Sequence, residues 1–514
     1  MHRVYFLFLI SCFSCNISQK SHTDSTSPKY ESWYAYGGDA GGNRFVESTQ
    51  INLENIQDLK VAWMYRTGEL GQGSKIKEKL TFEATPIHFQ GKLFLSTSYG
   101  KVIALHPSTG KELWTFDPKI NRKASFSELT SRGVSAWTNT NLTENESCKY
   151  CILIGTINAK LIKLDAETGK LCKDFGSGGI VNLHKGIHVP EAGDHQMTSP
   201  PAIINNIVVV GSSIGDNFNA DTGSGVVRAF DLRTGKSLWS WDPLADARET
   251  FKGPVGAANA WSIISTDPER DMIFVPTSSP SPDFYGGFRP NDNRYANSVV
   301  ALRASTGELI WHFQTVHHDL WDYDLAAQPA LVKVKKDGRV IPGVAQATKT
   351  GNLFLLHRET GVPIYPVEER AVPQTDVAGE YTSPTQPFST LPNLMGQKPL
   401  NEKNIWGNTA EERIKNVEFI SRARNEGIFT PPSLQGTILY PGNGSGTNWG
   451  SVAFDEERQL LIANTSRFAT YVQLFPAEQY EDMKTSSEGY EVSSQKGTPY
   501  GMRRQTMISD SGYL

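Results

Sequence analysis

A short phrase built around Thr-Gly recurs five times along the chain and limits the fold more than any other feature of the sequence. Its copies are VIALHPSTGKELW, LIKLDAETGKLCK, VVRAFDLRTGKSLW, VVALRASTGELIW and LFLLHRETGVPIY. Each copy has an apolar run, a turn whose glycine can adopt a positive φ, and a second apolar run, which together predict a β-hairpin. A hairpin cannot bury its own apolar face. Hairpins repeated at intervals of 59, 66, 72 and 54 residues therefore predict blades stacked around an axis.

Aromatic residues stand at equivalent places in these copies. Trp114, Trp239 and Trp311 each follow the threonine of their Thr-Gly pair by five residues, and Tyr365 takes that place in the fifth copy. We expect these flat side chains to pack between neighbouring blades. Helical periodicity is almost absent, and only GNTAEERIKNVEFISRARNEG, residues 407–427, predicts a helix. The predicted fold is an all-β propeller.

The overall composition is that of an ordinary globular protein. The chain has 514 residues, of which 38% are hydrophobic and 20% are charged, and its net charge is only −4. These values exclude a disordered chain and give no reason to expect a nucleic-acid partner.

The first thirty residues have the pattern of an exported, anchored protein. Residues 1–15, MHRVYFLFLISCFSC, contain Arg3 and then an apolar run from Val4 to Ile10 that is too short to span a bilayer. LISC resembles a bacterial lipobox with Cys12 as the lipidated residue, and a plain cleaved signal peptide is the alternative. Residues 16–30 read as a flexible tether. We expect the mature protein in the periplasm or at the outer surface, attached to the membrane by a lipid.

Three cysteines remain in the body of the chain. Cys148 and Cys151 form a CxxC, but Ile152 follows instead of histidine, so the motif is not a c-type haem site. No second CxxC completes a zinc site. Because an exported chain favours disulfides, we expect one disulfide among Cys148, Cys151 and Cys172, with one thiol left over.

Several longer strings carry a family resemblance. They are WYAYGGDAGGNRF, TVHHDLWDYDLAAQP, TKTGNLFLLHRETG and EGIFTPPSLQGTILYPGNGSGTNWG, within a match from about Trp33 to Gly501. The chain resembles the quinoprotein dehydrogenases that use pyrroloquinoline quinone, in the branch of the glucose, polyol and quinate enzymes. The resemblance implies an eight-bladed propeller over residues 31–514, a bound quinone, and one metal ion, calcium or magnesium with a lanthanide as the alternative. It also implies electron transfer to a membrane quinone or cytochrome.

The C-terminal sequence departs from the family pattern. The string KGTPYGMRRQTMISDSGYL resembles a point where relatives continue into further blades. We therefore expect the last blades to be missing and the chain to be truncated at its C-terminus.

The resemblance also assigns the catalytic and metal-binding residues. Asp322 corresponds to the base that takes the hydroxyl proton and lies beside the metal, and Asp324 adds a second carboxylate there. We expect Asp319, His317 and His318 to support this loop. Asp216, with Asn217 beside it, corresponds to an acidic metal ligand, although an Asp-Asn pair before a Gly-rich segment also suits a turn. The family places a cation near the reactive carbonyls, and the corresponding residue is Lys349.

The remaining assignments concern the quinone itself. Trp261 corresponds to the tryptophan under the quinone ring and Arg132 to an arginine at its edge. The other contacts implied are Thr198, Asn464 and Ser213, with Asn448 and Trp449 at the mouth of the funnel.

Three positions differ from well-known branches of the family. Ser131 precedes Arg132, so the vicinal disulfide of the alcohol branch is absent, and Glu128 stands where glucose enzymes carry a histidine. The segment VPTSSPSPD has only Ser278, Ser279 and Ser281 where the alcohol branch has an asparagine ligand. The missing disulfide and the missing asparagine resemble the sugar branch and argue against a methanol-type enzyme, whereas Glu128 leaves the exact substrate open. We expect oxidation of a sugar or polyol. The alternatives are a non-catalytic propeller, such as a lipoprotein scaffold for outer-membrane assembly, and an inactive truncated relative.

Overall fold

The computed structural model describes residues 33–69, 80–215, 218–395 and 400–507, except 402, 404 and 406. The predicted signal segment, lipobox and tether lie outside these residues. Asp216 and Asn217 also lie outside them.

Four consecutive antiparallel sheets of four strands follow one another along the chain, with the strands of each sheet in chain order. Blade A contains Ile87–Phe89, Lys92–Ser96, Val102–Leu105 and Glu112–Phe116, and blade B contains Ser135–Thr138, Tyr150–Gly155, Lys160–Asp165 and Ile180–Asn182. Blade C contains Ala202–Ile204, Ile207–Val210, Val227–Asp231 and Ser237–Trp241, and blade D contains Ser265–Asp267, Met272–Pro276, Ser298–Arg303 and Leu309–Gln314.

The second half of the chain adds smaller sheets. Blade E has three strands, Ala330–Lys336, Arg339–Ala347 and Leu353–His357, and hairpin F has two, Val452–Asp455 and Leu460–Ala463. Two-stranded sheets pair Val367–Ala371 with Thr385–Ser389 and His195–Gln196 with Ser213–Ile214. The last sheet has the order Thr437–Leu439, Thr470–Pro476, Tyr500–Thr506 and Glu491–Ser493. The predicted all-β propeller is confirmed, and the number of eight blades stays a prediction.

The repeated tryptophans pack between blades as the sequence predicts. Each indole N–H donates a hydrogen bond to a carbonyl in the Thr-Gly turn of the next blade. The pairs are Trp114 with Ala166 (3.2 Å), Trp239 with Ala304 (2.8 Å) and Trp311 with Arg358 (2.9 Å). The ring lies against the glycine of the same turn, and these glycines have positive φ, namely Gly169 (70°), Gly307 (76°) and Gly361 (70°). A side chain at these glycines would collide with the indole, so the turn serves both the hairpin and the contact between blades.

Two further positions show how regular this contact is. Trp63 was not among the predicted residues, yet it packs on Gly110 of blade A and donates to the carbonyl of Pro107 (3.0 Å). The second copy has Lys173 where the others have an aromatic residue, and the following glycine, Gly235, lies against the backbone of Gly176. The closer backbone approach takes the place of the missing ring.

Apolar clusters fill the spaces between neighbouring blades. Phe94 and Ile152 belong to the cluster between blades A and B, and Phe274 and Phe354 to the one between blades D and E. Tyr365 joins the cluster that contains Phe454 of hairpin F. Each large apolar side chain buried there contributes about 1.5–3 kcal/mol relative to an exposed one.

The N-terminal segment binds the first strands of blades A, D and E and of hairpin F. Backbone N–H groups of His88 in blade A, Thr266 in blade D, Leu331 in blade E and Phe454 in hairpin F donate to carbonyls between residues 33 and 43, at 2.7–3.0 Å. One short segment therefore binds strands that are far apart in sequence.

The helices lie outside the blades. The predicted helix is confirmed at Ala410–Ser421, where the side chain of Thr409 accepts a hydrogen bond from the backbone N–H of Glu412. A second α-helix spans Tyr480–Ser486, and 3-10 turns span Ile56–Asp58, Ala192–Asp194, Ala245–Thr250 and Ala477–Gln479. Among the residues described, no helix is long and apolar enough to cross a membrane.

The expected disulfide joins Cys148 and Cys172, and Cys151 is the free thiol. Cys151 is fully buried, with its sulfur 3.9 Å from that of Cys172. Burial raises the pKa of the Cys151 thiol to about 12, with Lys163 opposing the change.

Candidate active site

A cavity of about 160 Å³ is lined by residues next to the strands of blades B, C, D and E. Its lining comes from segments that precede the first strand of a blade or follow the second. Because these two strands are antiparallel, both kinds of segment reach the same end of the sheet. The charged and polar lining side chains are those of Glu128, Ser213, Asn259, Trp261, Ser278, Ser279, Ser281, Asp283, Asp322, Asp324 and Lys349.

Lys349 and two aspartates form the centre of this cavity. The Lys349 Nζ lies 3.0 Å from Asp322 Oδ1 and also forms an ion pair with Asp324. It donates a further hydrogen bond to the backbone carbonyl of Asp322 at 2.8 Å. Lys349 lies in the turn between the second and third strands of blade E, and the aspartates precede its first strand, so the antiparallel hairpin brings them together.

Charge decides the protonation of Lys349. Burial opposes the charged form, but the nearby carboxylates of Asp322 and Asp324 raise the pKa of Lys349 above its ordinary value. The ammonium group therefore stays charged although Lys349 is buried.

The second oxygen of Asp322 has its own partners. Asn443 Nδ2 donates to Asp322 Oδ2 at 2.8 Å, and Arg504 Nη1 lies 3.4 Å from the same oxygen. Arg504 is held in turn by Glu491 through two contacts of 3.0 Å. Asp322 has a φ of 60°, which is uncommon for a residue other than glycine.

Trp261 connects the cavity to a second polar group. Its indole N–H donates to Asp324, and the Arg132 guanidinium lies 4.6 Å from the centre of its ring. Arg132 donates to the Thr198 hydroxyl at 2.8 Å and pairs with Glu83 at 2.8 Å. The tryptophan thus has an anion at its edge and a cation against its ring.

The structure brings together some of the predicted site residues and separates others. Trp261, Asp322, Asp324, Lys349 and Ser213 line the same cavity. Arg132 packs against the ring of Trp261, and Thr198 accepts a hydrogen bond from Arg132, so both residues lie next to a side chain that lines the cavity. Trp449 and the exposed Asn464 are not among the described lining residues.

The predicted metal site cannot be assembled from the described residues alone. Two of its four members, Asp216 and Asn217, lie outside them, and the other two pair with Lys349. Within the described ranges, no group of three or more His, Cys, Asp or Glu side chains could hold a metal ion.

Sequence reasoning missed four residues at or near the cavity. Asn443 stands in the string PGNGSGTNWG, which carries the family resemblance, so the string could have pointed to it. Asn259 and Asp283 line the cavity, and Arg504 reaches Asp322 from the strand Tyr500–Thr506. For Arg504 the sequence has no local signal, because the contact spans 182 residues.

Comparisons with known proteins support the resemblance. Residues 33–514 match the family described as "PQQ: Glucose/ethanol/alcohol dehydrogenase, beta-propeller domain". The chain is 38% identical to quinoprotein glucose dehydrogenase A of Acinetobacter calcoaceticus, with 93% of this chain and 63% of the relative covered. It is 38% identical to the quinoprotein glucose dehydrogenase of Escherichia coli strain K12, with 94% and 62% covered. It is 35% identical to the glycerol dehydrogenase large subunit of Gluconobacter oxydans strain 621H, with 95% and 68% covered.

Solved structures agree on the fold. A quinohemoprotein alcohol dehydrogenase from Comamonas testosteroni superimposes with a TM-score of 0.63 at 22% identity, covering 93% of this chain and 64% of that one. A europium-containing methanol dehydrogenase superimposes with a TM-score of 0.63 at 20% identity, covering 94% and 74%. The chain spans less than two thirds of the length of the quinoprotein glucose dehydrogenases it matches. With the family match over residues 33–514, it belongs to the pyrroloquinoline quinone dehydrogenases that share this β-propeller domain.

Proposed function

We propose that the protein oxidises a hydroxyl group of a sugar or polyol, with bound pyrroloquinoline quinone as the hydride acceptor. The observation that carries this proposal is the paired Asp322 and Lys349 inside a cavity that Trp261 also lines. Relatives named for glucose and glycerol support the substrate class. No observation favours a non-catalytic binding role.

The donor set fits such a cofactor. A planar tricarboxylate needs an aromatic surface and cationic partners. Trp261 offers the surface, Arg132 already lies against that ring, and Lys349 is a charged ammonium in the same cavity. When bound, the quinone supplies a carbonyl carbon that accepts a hydride.

The chain's own residues supply the proton chemistry. Asp322 accepts the proton of the substrate hydroxyl, and the hydride leaves the carbon that bears this hydroxyl. The substrate therefore loses two electrons and two protons in all, one proton to Asp322 and the other with both electrons as the hydride. Lys349 lies within hydrogen-bond reach of Asp322, where its charge stabilises negative charge that develops on a neighbouring oxygen. Burial of the pair excludes water, which strengthens this electrostatic effect.

A metal ion completes the proposed site. Hard cations such as calcium and magnesium take oxygen ligands, and the carboxylates of Asp322 and Asp324 are of that type. We assign them as ligands together with Asp216 and Asn217. Comparing quinone binding with added calcium, magnesium or lanthanum will show which metal ion the site prefers.

The cellular setting follows from sequence patterns alone. An export signal with a lipobox at Cys12 suits a protein anchored in the periplasm or at the outer surface. There the electrons would pass to a membrane quinone or cytochrome.

The test combines binding and turnover. Purified protein is titrated with pyrroloquinoline quinone by absorbance, with added calcium, magnesium or lanthanum or with a chelator. Oxidation of glucose, glycerol and quinate is then followed with an artificial electron acceptor. We expect metal-dependent quinone binding and turnover of at least one of these substrates. Equal quinone affinity in the presence of chelator would contradict the proposed metal site, and absence of quinone binding would contradict the function.

A further inference from the structure

The segment around Asp322 has an uncommon backbone. A φ of 60° at an aspartate places it in the left-handed region. Such a conformation is unfavourable for a residue other than glycine, and it persists only when neighbouring contacts hold it. The described contacts show what holds it here.

The carboxylate of Asp319 binds the backbone N–H groups of the two residues on either side of Asp322. It accepts the backbone N–H of Trp321 at 3.1 Å on one oxygen and that of Tyr323 at 2.9 Å on the other. Both N–H groups therefore bind the same carboxylate, one on each oxygen. One buried side chain thereby fixes the turn that presents the candidate base.

Asp319 is itself held in place. Asn297 Nδ2 donates to its carboxylate at 3.0 Å, and the Ser279 hydroxyl donates to the same oxygen. The buried Arg289 donates to the backbone carbonyl of Asp319. Asp319 is only 1% exposed, so a charge at this depth requires such a full set of donors.

Hydrogen bonds to other segments hold the two residues next to Asp322. The Trp321 indole N–H donates to the carbonyl of Thr430 at 2.8 Å, and the Tyr323 hydroxyl donates to that of Pro441 at 2.6 Å. Lys349 binds the carbonyl of Asp322 from the cavity side. Both neighbours of Asp322 and its backbone carbonyl are therefore held by hydrogen bonds.

We infer that Asp319 is a positioning residue, which holds the strained backbone of Asp322 so that its carboxylate meets Lys349 and the substrate hydroxyl. This inference rests on the proposed function. A side chain that only stabilises the fold would change unfolding but would not act on turnover through Asp322.

A double-mutant cycle separates these two roles. Asp319→Asn cannot accept both N–H groups, so we expect turnover of the quinone-loaded enzyme to fall roughly 10–100-fold with little change in KM. The double variant Asp319→Asn/Asp322→Asn should be no slower than Asp322→Asn alone. A double variant slower by the product of the two single effects would overturn the inference.

Hydrogen exchange tests the same contact without cofactor or substrate. In the ligand-free Asp319→Asn protein, we expect faster amide exchange at residues 319–324, with the strands of blade E unchanged. Asp231→Asn is the matched control, because Asp231 also accepts backbone N–H groups, at 2.8 and 3.1 Å, but in a distant Thr-Gly turn. The control should change exchange only near residue 231. Unchanged exchange at residues 319–324 in the Asp319 variant would overturn the inference.

Two further arms cover the failure of a variant. If Asp319→Asn does not fold, Ser279→Ala removes a single donor to Asp319 and should give a smaller effect in the same direction. A wild-type protein that neither binds quinone nor turns over would contradict the proposed function, and the exchange experiment would then decide the role of Asp319 by itself.

Discussion

The Lys349 ammonium lies 3.0 Å from the carboxylate of Asp322 and 2.8 Å from the backbone carbonyl of Asp322. One cation therefore binds both the side chain and the backbone of the same residue. This contact joins the hairpin turn of blade E to the segment that precedes its first strand. It places a charged donor beside the carboxylate that we assign as the base.

The first prediction concerns Asp322. The Asp322→Asn variant keeps an oxygen that can bind a metal ion but cannot take a proton. We expect turnover to fall roughly 10²–10⁴-fold, while quinone affinity, measured by absorbance titration, stays near that of the wild type. Unchanged turnover would show that another carboxylate, such as Asp324, is the base.

The second prediction concerns Lys349. Its side chain is 6% exposed and its partner Asp324 is 8% exposed. Lys349→Met leaves buried carboxylates without their cation, so we expect urea unfolding of the metal-free protein to show a loss of about 3–5 kcal/mol. The matched control is Lys333→Met, because Lys333 and Glu456 form an exposed ion pair. It should cost less than about 1 kcal/mol. Equal losses in the two variants would contradict the buried charge cluster.

The third prediction concerns the contact between blades. Gly169→Ala introduces a methyl group against the Trp114 indole at a φ of 70°. The matched control, Gly338→Ala, has a φ of 72° and open space around the added carbon. In both variants alanine must adopt a positive φ, which lowers the stability by roughly 1 kcal/mol or more. Only in Gly169→Ala does the added methyl group also collide with the Trp114 indole. We therefore expect a clearly lower melting temperature for Gly169→Ala, and similar values would contradict the role of Trp114 between blades.

The fourth prediction concerns the cysteines. Cys151 is fully buried and its thiol pKa is raised to about 12. Alkylation followed by mass spectrometry should leave the native protein unlabelled at Cys151 and label it after unfolding without reductant. Rapid labelling of native Cys151 would contradict its burial.

The disulfide closes a loop between positions 24 residues apart. We therefore expect Cys148→Ser/Cys172→Ser to lower the free energy of unfolding by about 3 kcal/mol.

The fifth prediction concerns acid stability. Burial and the neighbouring His184 and Arg228 lower the pKa of His195 from 6.5 to about 3. Below pH 6.5 the unfolded chain binds a proton that the folded chain does not, so stability is lost as the pH falls towards 3. When the pH is lowered from about 7 to about 4, the melting temperature of His195→Gln should therefore fall less than that of the wild type. The exposed His106 gives the control His106→Gln, which should follow the wild type. A steeper acid loss in His195→Gln would contradict the buried neutral imidazole.

Local patterns in the sequence determined most of the fold. The Thr-Gly hairpins and the helix at Ala410–Ser421 are confirmed because each depends on residues close together in the chain. The aromatic residues between blades are confirmed because they recur at equivalent positions of the repeat, although each contact spans 47–65 residues. The family resemblance also named Asp322, Asp324, Lys349 and Trp261, which meet in one cavity. The hairpin of blade E brings Lys349 and Asp322 together over only 27 residues.

The tertiary structure decided the contacts that span the chain. Asn443 and Arg504 lie 121 and 182 residues from Asp322, yet both reach the same carboxylate oxygen. The sequence left the disulfide partners open among three cysteines, and the antiparallel pairing within blade B decided which sulfurs meet. Such contacts depend on how separate sheets and loops converge in space, and periodicity along the chain contains no information about that convergence.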